Sequence, residues 1–260
     1  MAHLFILSLF LLICGCSSTS STSPTTTDLP DISSFNTTRS DQFIVDMAVV
    51  ADGHMYRGTN CSNPHTGAHV HFQDNSGESP KWPNGTAVTD YPKIYAFADG
   101  KVSKVDPYYE VTNSEKTHYR YGIIIEFASS NGYTITMSYS IEPMVDPGNE
   151  NFYLDFIKVS VGDVVKKGDI IAYMYLSTDA TVGTGHHIHF NLIKNSSMQA
   201  PALFTSTLMS EFVEQISTSN GGVRNFDGNK DTGTWMSDCM GYKISASENP
   251  YEDVASSCLK

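Results

Sequence analysis

The amino-acid sequence predicts a mainly β, antiparallel domain over residues 43–195, and three observations support this prediction. Apolar residues in this part of the chain come in short runs rich in β-branched and aromatic side chains, which are typical of strands. Gly, Asn, Asp and Pro separate these runs, as they do in turns. Helical periodicity is scarce between 43 and 195. The one amphipathic stretch lies beyond this range, at 202–216 after Pro201, and predicts a short helical appendage within a C-terminal extension, 196–260.

The predicted strands follow one another along the chain with short connections. The clearest candidates are residues 93–98, 121–128, 133–139, 156–161 and 170–176. An Asn131-Gly132 pair separates the second from the third, and this pair favours a hairpin turn because such turns need positive φ. Between 159 and 172, Gly162 and Gly168 alternate with short Val and Ile runs, so the chain is expected to reverse direction tightly twice.

The first 42 residues are expected to lie outside the folded domain. Residues 4–13 form an apolar run with the length of a signal-peptide core, too short to cross a bilayer as a helix. Residues 13–16 resemble the lipobox of bacterial lipoproteins, which makes 1–16 a lipoprotein signal peptide and Cys16 the site of a membrane lipid anchor. A simple secretory signal is the alternative. The Ser- and Thr-rich stretch that follows predicts a linker over 17–42. These features predict a bacterial cell-envelope protein, anchored and facing the periplasm, or secreted.

Length, charge and cysteine content narrow the function classes. A chain of 260 residues with 40% hydrophobic residues predicts one main domain with appendages. The net charge of -12 disfavours nucleic acid as a partner, because such binding neutralises phosphates with Lys and Arg. Beyond the signal region, Cys61, Cys239 and Cys258 remain, and their pairing stays open; a disulfide between the two C-terminal ones would leave Cys61 free.

Six of the nine histidines fall in two short segments that each end in His-x-His-Phe. The segment 64–72 (PHTGAHVHF) holds His65, His69 and His71, and the segment 185–190 (GHHIHF) holds His186, His187 and His189. Residues two apart on a strand point to the same face, so the histidines of each His-x-His pair are expected to reach one site. Imidazole is a favoured zinc ligand, and catalytic zinc needs three protein ligands plus an open position. The pattern therefore favours a zinc site over histidines scattered on an edge strand.

The ordered motifs between roughly residues 60 and 195 resemble those of the lysostaphin-type zinc metallopeptidases. The segment 65–69 stands where the family has its first ligand motif, and 95–102 (YAFADGKV) is similar to its Ala-x-x-Asp-Gly-x-Val strand and turn. The segment 161–172 (VGDVVKKGDIIA) is similar to the hairpin before the last motif, which 185–190 supplies. The resemblance implies a duplicated hybrid motif, a barrel-sandwich-like antiparallel β fold, bound Zn²⁺ and cleavage of peptide crosslinks in peptidoglycan.

Carried over to this chain, the resemblance makes His65, His69 and His189 the metal ligands and His187 a catalytic histidine. His69 stands where the family has Asp, but three imidazoles hold catalytic zinc in other proteins. On the middle strand, Tyr139 lies near the place of the family's other catalytic histidine. A phenol donates a hydrogen bond to an oxyanion but titrates near about 10, so the resemblance implies an oxyanion donor there rather than a proton shuttle.

Three function classes stay open. The first is a zinc-dependent endopeptidase acting on peptidoglycan crosslinks. The second is a catalytically impaired relative that binds the cell wall or a partner hydrolase, which the missing middle histidine favours. The third is a periplasmic metal-binding protein without peptide substrate, which would use His54, His71 and His186. His71 and Asp74 are alternative ligands, whereas His54 and His118, outside the clusters, are expected to be ordinary surface residues.

Overall fold

The computed structural model describes residues 43–54, 68–112, 117–130, 133–144, 151–182, 185–194 and 197–199. These residues form two short 3-10 helices, Met47–Val49 and Val88–Asp90, and ten strands. The strands are β1 (Val50–His54), β2 (Ala68–Phe72), β3 (Lys93–Tyr95), β4 (Gly100–Thr112), β5 (Thr117–Ser130), β6 (Tyr133–Glu142), β7 (Val164–Val165), β8 (Ile170–Tyr173), β9 (His187–Lys194) and β10 (Ser197–Gln199). The predicted mainly β fold is confirmed, while the signal segment, the linker, the three cysteines, His65 and the C-terminal helix lie outside the described residues.

All the strand pairings among the described residues are antiparallel. One eight-stranded sheet has the order β1-β2-β9-β6-β5-β4-β7, and β10 pairs with the end of β9 beyond the reach of β2. Strands β3 and β8 form a separate two-stranded sheet. None of the helices in the described ranges is long and apolar enough to cross a membrane.

One face of the large sheet is apolar and carries the core. Side chains alternate along a strand, so every second residue of β5, β6 and β9 points to this face. The buried residues on it are Tyr121, Ile123, Ile125, Met137, Tyr139, Ile141, Ile188 and Phe190. They pack with aromatic side chains from the connecting segments, among them Phe97 and Tyr153. The opposite face of the same strands carries mostly polar side chains, and the histidines lie there.

The two predicted tight reversals are present on either side of β7. Gly162 has a φ of 99° and Gly168 a φ of 86°, values that only glycine adopts readily. The carboxylate of Asp163 accepts a hydrogen bond from the backbone N–H of Ser160 at 2.8 Å, and Asp169 does the same for Lys166 at 2.7 Å. Glycine and aspartate therefore fix both turns, as the sequence pattern predicts.

Candidate functional site

The two histidine segments meet as neighbouring strands. The antiparallel register of β2 and β9 pairs His69 with His189 and His71 with His187, which puts all four side chains on one face. The ring centroid of His69 lies 4.6 Å from that of His189 and 4.7 Å from that of His187. The ring centroids of His71 and His187 are 5.2 Å apart. Four imidazoles from two distant parts of the chain therefore form one cluster, which we call the histidine cluster.

Within this cluster, His69 and His189 face each other through their ring nitrogens. Nε2 of His69 lies 2.9 Å from Nδ1 of His189. On the far side of the ring, Nε2 of His189 donates a hydrogen bond to Oδ1 of Asn191 at 3.2 Å. Because an amide oxygen only accepts hydrogen bonds, this contact assigns the proton of neutral His189 to Nε2 and leaves a lone pair on Nδ1. The lone pair points at His69, whose Nε2–H donates to it.

This pair has the donor chemistry that zinc requires. Two imidazole ligands of a tetrahedral zinc ion have nitrogens about 3.3 Å apart, given metal–nitrogen distances of about 2.0 to 2.1 Å. The observed separation of 2.9 Å is close to that value, and both rings already turn a nitrogen toward the same point. No group of three or more His, Cys, Asp or Glu side chains in the described ranges is arranged to hold a metal ion, and His65, the third predicted ligand, is outside them.

The carboxylate of Asp52, on β1, contacts His71 of the histidine cluster. Asp52 is the register partner of His71, and its Oδ1 is in direct contact with Nδ1 of that ring. Both residues are buried, with exposed fractions of 1% for Asp52 and 6% for His71. Burial of a carboxylate is costly unless it is paired, so this contact fixes both side chains.

Asp74, the other alternative ligand, lies in an exposed turn, where hydrogen bonds from the backbone and hydroxyl of Ser76 lower the pKa of its carboxyl.

His187 has a polar neighbour at each nitrogen of its ring. Its Nδ1–H donates to the carbonyl oxygen of Gly185 at 2.8 Å, while its Nε2 lies 3.5 Å from Oε2 of Glu142. Burial lowers the pKa of His187 to about 4, and the nearby Glu142 carboxylate opposes this shift without cancelling it. At neutral pH the ring is therefore uncharged, with its proton on Nδ1 and a lone pair on Nε2. Such a ring can accept a proton from a reacting group.

Glu142 and His118 form a buried pair beside His187. Glu142 is the register partner of His187 on β6, and its Oε2 accepts a hydrogen bond from Nε2 of His118 at 2.8 Å. Burial alone would raise the pKa of Glu142, but the hydrogen bond from His118 and the charges of His187, His118 and Arg120 outweigh it, so this pKa is lowered. The exposed fraction of His118 is 1%. The expectation that His118 is an ordinary surface residue is therefore wrong.

The structure does not bring Tyr139 to the histidine cluster. Its side chain points to the opposite face of β6 and is completely buried in the core. The hydroxyl accepts a hydrogen bond from the N–H of Phe97 at 2.9 Å and donates one to the carbonyl oxygen of Tyr95 at 3.1 Å. Burial raises its pKa strongly. The role of oxyanion donor is corrected accordingly, because this phenol holds two backbone groups inside the core.

His186 and His54, which the third function class would use, lie outside the histidine cluster. His186 is completely buried, and its Nε2 accepts a hydrogen bond from the backbone N–H of Ser177 at 3.0 Å. This contact gives His186 a role in fixing the chain before β9. His54 belongs to β1, where its backbone pairs with that of His69.

Sequence reasoning missed three residues of the site: Asp52, Glu142 and Asn191. A signal existed for Asn191, because it lies two residues after His189 on a predicted strand and so shares its face. Asp52 and Glu142 reach the histidines only through strand pairings between distant parts of the chain, and no local motif marks them.

The fold and the site define a class of protein: an antiparallel β domain with a partly buried histidine cluster on the polar face of its main sheet. No protein-family model matches the chain, and no curated protein matches it. The chain is similar to the NMR solution structure of lysostaphin, with a TM-score of 0.33 and 18% identity over 63% of this chain and 54% of that chain. It is also similar to "the antimicrobial peptidase lysostaphin from Staphylococcus simulans", with a TM-score of 0.29 and 19% identity over 70% of this chain and 57% of that chain. The chain thus spans little more than half the length of these neighbours. The likeness is weak, and the function proposed below depends on the residues of this chain.

Proposed function

We propose that this chain is a zinc-dependent metalloendopeptidase that hydrolyses peptide crosslinks of peptidoglycan. The observation that supports it most is the facing pair of ring nitrogens, Nε2 of His69 and Nδ1 of His189, 2.9 Å apart. In this proposal both nitrogens are ligands of Zn²⁺, for which His69 carries its proton on Nδ1 instead of Nε2, and His65 is the third ligand. The side-chain oxygen of Asn191 keeps the Nδ1 lone pair of His189 turned toward the ion.

The side chains around the ligand pair have distinct tasks in the proposed reaction. Bound zinc supplies Lewis-acid polarisation of the scissile carbonyl and lowers the pKa of its bound water toward about 7. His187 is uncharged at neutral pH and accepts a proton at Nε2, while the carbonyl oxygen of Gly185 keeps its Nδ1–H in place. Asp52 and His71 form a buried pair beside this ring. In this division His69 and His189 bind the ion, and His187 handles the proton.

The substrate class and the location come from the sequence motifs. The resemblance to lysostaphin-type peptidases implies peptide crosslinks of bacterial peptidoglycan as the substrate. The signal segment with Cys16 as a lipid anchor would hold the enzyme at the cell envelope, next to this substrate. We therefore propose a membrane-anchored or secreted envelope enzyme.

Two measurements on the purified chain test the proposal. Metal analysis should find one zinc ion per chain, which a chelator removes, and crosslinked peptidoglycan should release new amino groups only when zinc is bound. His69→Ala and His189→Ala should lose zinc and activity, whereas His187→Ala should keep zinc and lose activity. Asp74→Asn is the matched control, because this nearby carboxylate lies in an exposed turn. A chain that binds no zinc, or an Asp74→Asn variant that loses it, would contradict the ligand assignment.

One observation favours a second candidate function. Strand β6 has no histidine near Tyr139, where the resemblance implies the family's other catalytic histidine, and it presents Glu142 to His187 instead. A relative without hydrolytic activity would keep zinc and bind peptidoglycan or a partner hydrolase. Retention of the zinc-loaded chain on peptidoglycan without any release of amino groups would favour this function.

A further inference from the structure

Two hydrogen-bond acceptors face each other where β9 pairs with the end of β6. Nε2 of His187 lies 3.5 Å from Oε2 of Glu142, its register partner. The ring proton of uncharged His187 is on the other nitrogen, Nδ1, which donates to the carbonyl oxygen of Gly185 at 2.8 Å. A nitrogen lone pair and a carboxylate oxygen therefore meet without a hydrogen bond between them, and a cation would be attracted by both.

Each acceptor is held in place by a contact of its own. The carbonyl oxygen of Gly185 fixes the tautomer of His187. Oε2 of Glu142 accepts a hydrogen bond from Nε2 of His118 at 2.8 Å, and the exposed fraction of Glu142 is only 7%. Outer partners of this kind, a carbonyl behind an imidazole and a donor behind a carboxylate, are typical of side chains that bind metal ions.

The distance between the two acceptors fits a metal ion better than a water molecule. A water that donates to two acceptors at about 2.8 Å, with its angle of about 105°, holds them about 4.4 Å apart. A tetrahedral zinc ion with bonds of about 2.0 to 2.2 Å holds an imidazole nitrogen and a carboxylate oxygen about 3.3 to 3.5 Å apart. The separation of 3.5 Å between Nε2 of His187 and Oε2 of Glu142 agrees with the second arrangement.

We propose that Nε2 of His187 and Oε2 of Glu142 form a second zinc site, with His118 as the residue that orients the carboxylate. Water molecules complete the coordination, so this site binds zinc more weakly than the three-histidine site proposed above. The inference goes beyond the proposed function, and zinc binding here does not require hydrolytic activity. An ion at this site occupies the lone pair with which His187 accepts a proton in the proposed reaction, so the two states of His187 exclude each other.

Zinc titration of the metal-free full chain, in competition with a chromophoric chelator, tests the ligands. The wild type should bind a second equivalent of zinc, more weakly than the first. Loss of an outer hydrogen bond costs about 10- to 100-fold in metal affinity, so His118→Leu should weaken the second equivalent by that factor. Glu142→Gln removes the charge of the oxygen ligand itself and should weaken it by more than about 100-fold. The control Glu110→Gln, which alters an exposed carboxylate on β4, should resemble the wild type.

The ¹⁵N resonances of the histidine rings locate each ion. Nε2 of His187 should shift strongly when the second equivalent of zinc is added, because its lone pair then binds the metal. Nδ1 of His189 should respond to the first equivalent instead. In Glu142→Gln the response of His187 should disappear over the same range of zinc concentration, while that of His189 should remain.

The outcomes separate this inference from the proposed function. If Nε2 of His187 in the wild type does not respond to excess zinc, the second site is refuted, whatever the variants do, and the hydrolase is unaffected. If Glu142→Gln binds the second equivalent within about threefold of the wild type, Glu142 is not a ligand and the inference is equally refuted. If Glu142→Gln does not fold, an unchanged affinity in His118→Leu refutes it. A wild type in which His187 responds to zinc, but His189 does not and no peptide is cut, overturns the proposed function and leaves this site standing.

Discussion

Lowering the pH from about 7.5 to about 5 should destabilise the metal-free protein, because unfolding exposes an imidazole that then binds a proton. The group is His187, whose pKa falls from 6.5 to about 4 in the folded chain because it is buried. Above pH 6.5 both states leave it uncharged, so its contribution does not vary. Between these two values the unfolded state binds the proton and the folded state does not, so stability decreases as the pH falls.

The magnitude follows from the two pKa values. Each tenfold change in proton affinity corresponds to about 1.4 kcal/mol, which gives a loss of about 2 kcal/mol at pH 5 and about 3 kcal/mol once the pH is well below 4. The pKa of Glu142 is also lowered, and the stabilisation from that group is present above 4.5 and lost as the pH falls below it. Work at pH 5 and above therefore separates the contribution of His187 from that of Glu142.

Urea unfolding with a chelator present measures this effect. The free energy of unfolding of the wild type should fall by about 2 kcal/mol between pH 7.5 and 5, in excess of the change seen in His187→Gln. Glutamine cannot titrate, so that variant reports every other group. Equal losses in the two proteins would refute the reasoning, since they would show that His187 takes up its proton equally well in the folded state.

Three further predictions concern residues with separate roles. Asn191→Leu removes the acceptor for His189 Nε2–H and should weaken zinc affinity by about 10- to 100-fold in a chelator competition, with hardly any effect on the unfolding midpoint of the metal-free chain. Tyr139→Phe deprives the buried N–H of Phe97 of its acceptor and should cost about 1 to 3 kcal/mol in urea unfolding, while a change in zinc content would contradict its placement in the core. Gly168→Ala forces a φ of 86° on a residue with a Cβ and should cost about 1 to 2 kcal/mol; an unaltered melting temperature would argue against this turn.

The sequence predicted the strands and turns well because these depend on local chemistry. Short β-branched runs and glycines at positive φ, such as Gly162 and Gly168, act within a few residues. The shared face of His187 and His189 was predictable for the same reason, since it follows from the two-residue period of a strand.

The errors arose where the answer depended on strand register. Tyr139 and Glu142 lie three residues apart on β6 and so point to opposite faces, and only the pairing of Glu142 with His187 shows which face meets the histidines. His118 was misjudged because its partner, Glu142, lies 24 residues away on the neighbouring strand. A lone histidine in a polar stretch carries no local sign of such a contact.

The position of β9 inside the sheet makes this part of the site rigid. Residues 187–190 are hydrogen-bonded to β2 on one side and to β6 on the other. Their amide protons are therefore shielded by two neighbouring strands, and exchange with solvent requires separation of the sheet rather than local fraying. Under the proposed function, a peptide substrate would therefore meet a rigid floor along β9.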